Sequence, residues 1–291
     1  MYKFIKQQEG HYAVRLLCET LGLSKSSYYT WRKGSSYQKR AADTKIEEQL
    51  IAAFLHHRRR YGVRRLRATL EAQGIHTGDY KVRDVMKRYG LKAIQPRSFI
   101  PRTTESRHPY AISPNLLLDQ PFPARINEVW VGDITYIPLK GSNWAYLAVW
   151  MDLYSRRIVG WALADHMREE LVIEALKIAL NQRPARRHMI IHTDRGGQYA
   201  GNIFRKILTG NRLLQSMSRS DNPYDNAFME SCFSRFKCEL LEDGVFETLE
   251  DARTEIFEYI EMYYNPERLH SSLGYVSPGN FEKNAAGHQQ Q

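Results

Sequence analysis

At 291 residues, with a net charge of +10 and a pI near 9.4, the chain has room for about two domains and calls for a polyanionic partner. Its three cysteines, Cys18, Cys232 and Cys238, are too few and too scattered for a disulfide framework. No apolar run reaches the roughly eighteen residues of a membrane helix and no apolar leader opens the chain, so a cytoplasmic location without membrane contact is expected.

Residues 1–42 form an N-terminal helical segment. Two short helices are predicted within 11–33, separated by a turn at Gly22, with Ser24 capping the second. The pattern serves a helix-turn-helix and an ordinary helical hairpin equally. Residues 43–92 form a second helical unit, with helices over Lys45–His57, Val63–Gln73 and Lys81–Tyr89. From 45 to 92 there are twelve Lys/Arg against five Asp/Glu, so +7 of the +10 sits in this unit. The clustering makes it a DNA-binding candidate. Arg58, Arg59 and Arg60 lie in a basic turn, and Arg64, Arg65 and Arg67 near a helix start; all six are candidate phosphate contacts. His56 and His57 lack a cysteine or carboxylate partner at ligand spacing, which assigns them to phosphate or solvent.

Six of the eleven prolines fall in residues 93–125, which read as an extended linker lying along a neighbouring surface. From Val129 the expected order is three strands, then helix, strand, helix, strand, helix. The strands are Glu128–Ile137, Trp144–Asp152, Arg157–Leu163, the Met189–Ile191 run and Leu213–Met217. The helices are Arg168–Asn181, Gly201–Leu208 and Asn226–Leu241. Three antiparallel strands followed by alternating elements give an α/β fold, a mixed sheet flanked by helices. Residues 126–245 would form this core. Residues 246–291 would add an acidic helix, Leu249–Tyr264, with eight Asp/Glu and one Arg over 241–263, facing solvent or a basic protein. The Tyr263–Pro278 tail packs on the core, with Arg268 and His270 serving either DNA or structure, and 283–291 are expected to be disordered.

Three acids stand out. Asp133 sits inside an otherwise β-branched and aromatic strand, where a carboxylate is costly unless it is paired or holds a metal. Asp194 follows a short apolar strand, ahead of Gly196 and Gly197, where open α/β sheets place their ligands. Glu230 lies one turn inside a helix. Hard carboxylate oxygens from two strands and a helix suit two Mg²⁺ or Mn²⁺ ions, which stabilise both oxygens of an in-line displacement at phosphorus. Asp152, in a turn beside Ser155 and Arg156, reads as a cap or ion-pair partner instead.

The stretches Trp130-Val-Gly-Asp-Ile-Thr-Tyr, His192-Thr-Asp-Arg-Gly-Gly-Gln-Tyr and Asp225-Asn-Ala-Phe-Met-Glu-Ser-Cys-Phe, with thirty-five residues between Asp194 and Glu230, resemble the signature blocks of the aspartate-aspartate-glutamate transposase and retroviral-integrase superfamily. With Tyr264-Asn-Pro-Glu-Arg-Leu-His-Ser-Ser-Leu-Gly they most resemble the second-reading-frame transposases of bacterial insertion sequences, over about residues 11–281. The resemblance implies a ribonuclease-H-like core behind a helix-turn-helix-like domain, with Asp133, Asp194 and Glu230 as ligands of two Mg²⁺ or Mn²⁺ ions. It also implies strand cleavage at element ends and 3′-hydroxyl transfer into target DNA. The partners it implies are terminal-repeat and target DNA near the nucleoid, further copies of the chain in a synaptic complex, and an upstream-reading-frame product, separate or fused. The two-His, two-Cys module of retroviral integrases is missing, so no zinc is expected. Lys237, two turns beyond Glu230 on the same helix face, is either paired with Glu239 or Glu242 or contacts DNA; the resemblance favours DNA. The alternatives are a nuclease on the same fold and a DNA-binding regulator with an inert core.

Overall fold

The computed structural model describes residues 1–34, 41–95, 109–118, 120–183, 186–219, 227–241 and 244–287. The expected linker residues 96–108, the loop 220–226 and the last residues 288–291 lie outside that set.

Three helices, α1 (Tyr2–Gln8), α2 (Val14–Thr20) and α3 (Lys25–Arg32), close on a small core of Ile5, Cys18 and Tyr28. Gly22 takes the left-handed conformation between α2 and α3, and the Ser24 side chain accepts the Ser27 amide at the start of α3, as the sequence predicts. Helix α1 was not expected, because one buried residue gives it no readable apolar stripe. The second unit is α4 (Ala41–His56), α5 (Val63–Ala72) and α6 (Asp79–Arg88), joined through Leu50, Phe54, Leu66, Leu70, Val82 and Val85.

The sheet has the order β3-β2-β1-β4-β5. Strands β1 (Val129–Leu139), β2 (Asn143–Asp152) and β3 (Ile158–Ala164) are antiparallel, while β4 (Ile190–Thr193) and β5 (Leu214–Met217) run parallel to β1. Period-two alternation sorts the side chains. Trp130, Ala148 and Trp150 face α7 (Glu169–Gln182), α8 (Gly197–Ala200) and α9 (Asn202–Gly210). Val129, Val131, Val149 and Met151 face α10 (Ala227–Leu241) and α11 (Leu249–Phe257). That second core is continuous with the buried residues of α4–α6, so the basic unit shares a core with α10 and α11. The far end of the linker lies on the β5 edge: Met217 N donates to Pro114 O at 3.3 Å and Leu116 N to Ser216 Oγ at 2.9 Å.

Two expectations at the C-terminal end need correction. The helix from Leu249 ends at Phe257 and continues as a π-helical stretch, Glu258–Tyr264, whose wider turn buries Tyr259, Ile260, Tyr263 and Tyr264 together. Residues 283–287 are helical, the end of α12 (Pro278–Gly287). This helix is held by a buried charge rather than an apolar stripe, since Glu282 accepts from Ser155 Oγ at 2.5 Å and from Arg157 at 3.1 Å, and pairs with Arg183. Asp152 is fully buried and accepts the amides of Asn127, Tyr154 and Ser155, the capping role expected of it.

Candidate active site

Strands β1 and β4 pair Val129 with Ile190, Trp130 with Ile191 and Val131 with His192, an offset of 61 residues. Asp133 and Asp194 are separated by the same 61, so continuing the register two residues past the last pair brings them side by side on one face. Adjacent strands lie about 4.8 Å apart, which is the scale of the gap. Asp133 stands on the β1 face that carries Val129 and Val131, towards α10, and Glu230 is in the first turn of α10. Lys237 is half-buried two turns along the same helix.

Electrostatics shows that the four groups share one field. Burial first, then the charge of Asp194, pushes Asp133 well above the usual carboxylate range. A 2.8 Å bond from the Ile134 amide opposes the shift, Glu230 adds to it and Lys237 reduces it. Lys237 is itself lowered by burial, with Asp133 pulling it back up. The buried Tyr199 phenol beneath is raised by burial and then by both aspartates.

Local sequence fixes both aspartates. A Cβ on Gly132 would sit 2.3 Å from the Trp150 ring, so glycine lets that indole pack against β1 beside Asp133. The Gly196 amide donates to Asp194 Oδ1 at 2.9 Å, and a Cβ on Gly196 would crowd that oxygen at 3.1 Å. Below Asp194, the fully buried His192 bonds Ser216 Oγ at 2.8 Å and Ser218 Oγ at 3.3 Å, while Arg195 Nε donates to Ser218 O at 2.7 Å. These supports come from β5 and the residue just beyond its end, and nothing local in the sequence announces them. Three carboxylates in one field, one of them raised by burial and then by its neighbours' charge, form a donor set that fits hard divalent cations.

The six arginines separate. Arg58, Arg59 and Arg64 are exposed. Arg67 is paired with Asp79 at 3.2 Å and Glu71 at 3.8 Å. Arg60 and Arg65 turn inward. Arg60 Nε donates to the Glu239 carbonyl at 3.1 Å and its guanidinium lies 4.6 Å from the Tyr263 ring centroid. Arg65, about four-fifths buried, lies 3.6 Å from the Glu239 carboxylate. Their partner is 174 residues from Arg65 in the chain, which is why the sequence presents them as part of a basic face. Arg268, left between DNA and structure, is structural: it is 2 % exposed and grips Glu239 through two bonds of 2.8 and 2.6 Å. With Glu239 so engaged, the first of the expected partners of Lys237 is committed elsewhere, and Glu242 lies outside the described residues.

His56 meets a carboxylate the sequence could not show: its Nε2 is 3.3 Å from Glu267 Oε2, and candidate ligand atoms of His56, His57 and Glu267 lie within 4.8 Å of one another. Arg58 and Arg60 line the same cleft, an unfavourable setting for a cation. His57 stacks on Tyr61 at 3.7 Å, and burial, then His56, lowers its pKa to about 4.

The integrase core domain family matches residues 123–223, a second integrase core domain model matches 211–278, and an HTH-like domain matches 41–99. Transposase InsF for insertion sequence IS3A of Escherichia coli (strain K12) is 36 % identical over 288 residues, 98 % of this chain and 99 % of the relative. This chain belongs to that family of insertion-sequence transposases. The transposase for insertion sequence element IS904 of Lactococcus lactis subsp. lactis (strain IL1403) is 41 % identical over 239 residues, 82 % of this chain and 93 % of its own. Among solved structures, the HTLV-2 integrase catalytic core domain in complex with magnesium (trimeric form) has a TM-score of 0.42 at 17 % identity, covering 54 % of this chain and 96 % of that one. So loose a superposition carries no weight beside the relatives. The transposase thus joins a helix-turn-helix-like unit to an integrase core with a ribonuclease-H-like mixed sheet, as a member of the aspartate-aspartate-glutamate polynucleotidyl transferase superfamily. Among the described residues no helix is long and apolar enough to cross a membrane.

Proposed function

We propose that this transposase cleaves phosphodiester bonds at the ends of an insertion sequence and joins the freed 3′-hydroxyl to target DNA, with Asp133, Asp194 and Glu230 holding two Mg²⁺ or Mn²⁺ ions. The observation that carries the reading is the shared offset of 61 residues between the β1–β4 register and the two aspartates, with Glu230 and Lys237 in the field of Asp133. When bound, the ions supply Lewis-acid stabilisation of the attacking and leaving oxygens. In each step an oxygen nucleophile, water for cleavage or the 3′-hydroxyl for joining, attacks phosphorus while the opposite P–O bond breaks. No protein side chain is needed as a covalent carrier. Carboxylates crowded by burial and by one another's charge gain from a bound cation, which relieves both the repulsion and the cost of buried negative charge. Lys237 holds a phosphate beside the scissile bond, and the exposed Arg58, Arg59 and Arg64 neutralise phosphates of the terminal repeat.

The proposed division of labour is end binding by the helical units (1–42 and 43–92), a tether (93–125), chemistry in 126–245 and an acidic appendage in 246–291. We place the protein on DNA in the bacterial cytoplasm, working in a synaptic complex of several copies, with an upstream-reading-frame product as partner or fusion. The test uses end-labelled element DNA and a target plasmid. Mg²⁺-dependent nicking and joined product are expected from wild type, with both lost in Glu230→Gln while end binding persists. Nicking without joining would favour the nuclease alternative. Binding without either would favour the regulator.

A further inference from the structure

Helix α10 carries Glu230 and Lys237, and its far end is seized from behind. Glu239 is nine residues past Glu230, roughly 900° of rotation, so its side chain leaves on the opposite side about 13 Å along the axis. There its carboxylate, 5 % exposed, accepts two bonds from Arg268 and one of 2.9 Å from the Tyr259 hydroxyl, and Arg65 approaches to 3.6 Å. Arg60 takes the Glu239 backbone carbonyl. Burial works against ionisation here, yet the Arg268 bonds and charge, then Arg65, hold Glu239 below the ordinary carboxylate range. Two parts of the chain far apart in sequence therefore meet on one residue: the basic unit through Arg60 and Arg65, and the C-terminal segment through Tyr259 of the π-helical stretch and Arg268 of the tail that follows it. The joint is braced further by Tyr61, whose hydroxyl accepts the Leu269 amide at 2.7 Å while Arg65 lies over its ring.

We propose that the Glu239–Arg268 pair is the positioning device of the catalytic helix, and that Arg65 and Arg60 make the basic helical unit part of it, so that docking of that unit sets where Glu230 stands. This rests on the reading of Glu230 as a metal ligand. Planar, two-pronged recognition fixes rotation as well as distance, which a lysine ammonium does not. A helix with its side chains is about 10–12 Å across, so a 20° turn of α10 swings the Glu230 carboxylate by about 2 Å. Displacements of about 1 Å at a reacting centre cost on the order of a hundredfold in rate.

The test compares full-length wild type, Arg268→Lys, Arg65→Lys and Glu230→Gln in Mg²⁺-titrated strand joining, with end-DNA binding and thermal melting alongside. For Arg268→Lys, kcat falls by about a hundredfold and the Mg²⁺ midpoint rises by about tenfold, while end binding stays within about threefold. Arg65→Lys leaves the Glu239–Arg268 pair in place and shifts the Mg²⁺ midpoint in the same direction by a smaller factor. A purely structural role would lower activity only in proportion to the folded fraction, with the midpoint unchanged. That result in either folded variant overturns the proposal, and if Arg268→Lys does not fold, Arg65→Lys decides. Glu230→Gln separates the two ideas. An active Glu230→Gln rejects the metal-ligand reading itself, whereas an inactive Glu230→Gln beside an unshifted midpoint in the lysine variants rejects only the positioning.

Discussion

Removing the negative charge of Asp133 should stabilise the transposase while disabling it. Asp133→Asn keeps side-chain size and the acceptor oxygen that takes the Ile134 amide, so charge is the principal change. Two carboxylates about 4.8 Å apart repel by roughly 3 kcal/mol at an effective dielectric of about 20. Both aspartates are only half-buried, so solvent screening reduces this to about 1 kcal/mol, or roughly 2–4 °C in Tm for a chain of this size. The sign comes from the raised pKa of Asp133. Its protonated form is favoured in the folded state, so its stabilising contribution is complete at acid pH and is lost as pH rises through the folded value. Melting in EDTA should therefore give similar Tm values for wild type and variant near pH 4, where the unfolded carboxylate titrates at about 3.9, with the variant ahead at pH 8. Added Mg²⁺ should raise the Tm of wild type and leave the variant nearly unmoved. A variant that melts below wild type at pH 8 in EDTA, or gains as much from Mg²⁺, would refute the account of a crowded anionic site.

Substitutions elsewhere probe packing and DNA binding. Gly132→Ala places a methyl 2.3 Å from the Trp150 ring and should cost about 1–3 kcal/mol, read as a lower denaturation midpoint; a neutral result would show that Trp150 yields freely. Alanine at Arg58, Arg59 and Arg64 together should flatten the salt dependence of end binding by about 0.9 for each phosphate no longer neutralised, while an unchanged slope places the DNA on another face. Lys237→Glu should weaken protection beside the cleavage site in footprints of element-end DNA without loss of helix, and identical footprints would make Lys237 a bystander.

The sequence exposed the parts of the site that are chemically costly. An acid inside an apolar strand, another just past a strand and a third on a helix are legible because each needs a reason to be there, and the spacing of the blocks carried the family resemblance. The sheet was legible because its strands are runs of β-branched, aromatic and other apolar residues, buried on both faces between the two cores. What stayed hidden was long-range and polar. Arg60 and Arg65 sit in a run of arginines that a sequence reading spreads over one DNA-facing surface, and only the fold brings Glu239 and Tyr263 to them. Helix α12 obeys the same rule, since its anchor, Glu282, pairs with Arg157 and Arg183 about a hundred residues earlier. The Leu249 helix was placed, but its change to π-helical turns depends on four side chains entering one core, which a period of 3.6 does not encode.

The proposed function requires that Asp133, Asp194 and Glu230 jointly hold the ions that drive strand transfer. Its most direct test is anomalous diffraction from crystals of the transposase with element-end DNA and Mn²⁺. The account predicts Mn²⁺ peaks within about 2.0–2.3 Å of carboxylate oxygens of all three residues, lost or halved in Asp194→Asn crystals. Peaks bound elsewhere, or ions that persist unchanged in Asp194→Asn, would contradict it.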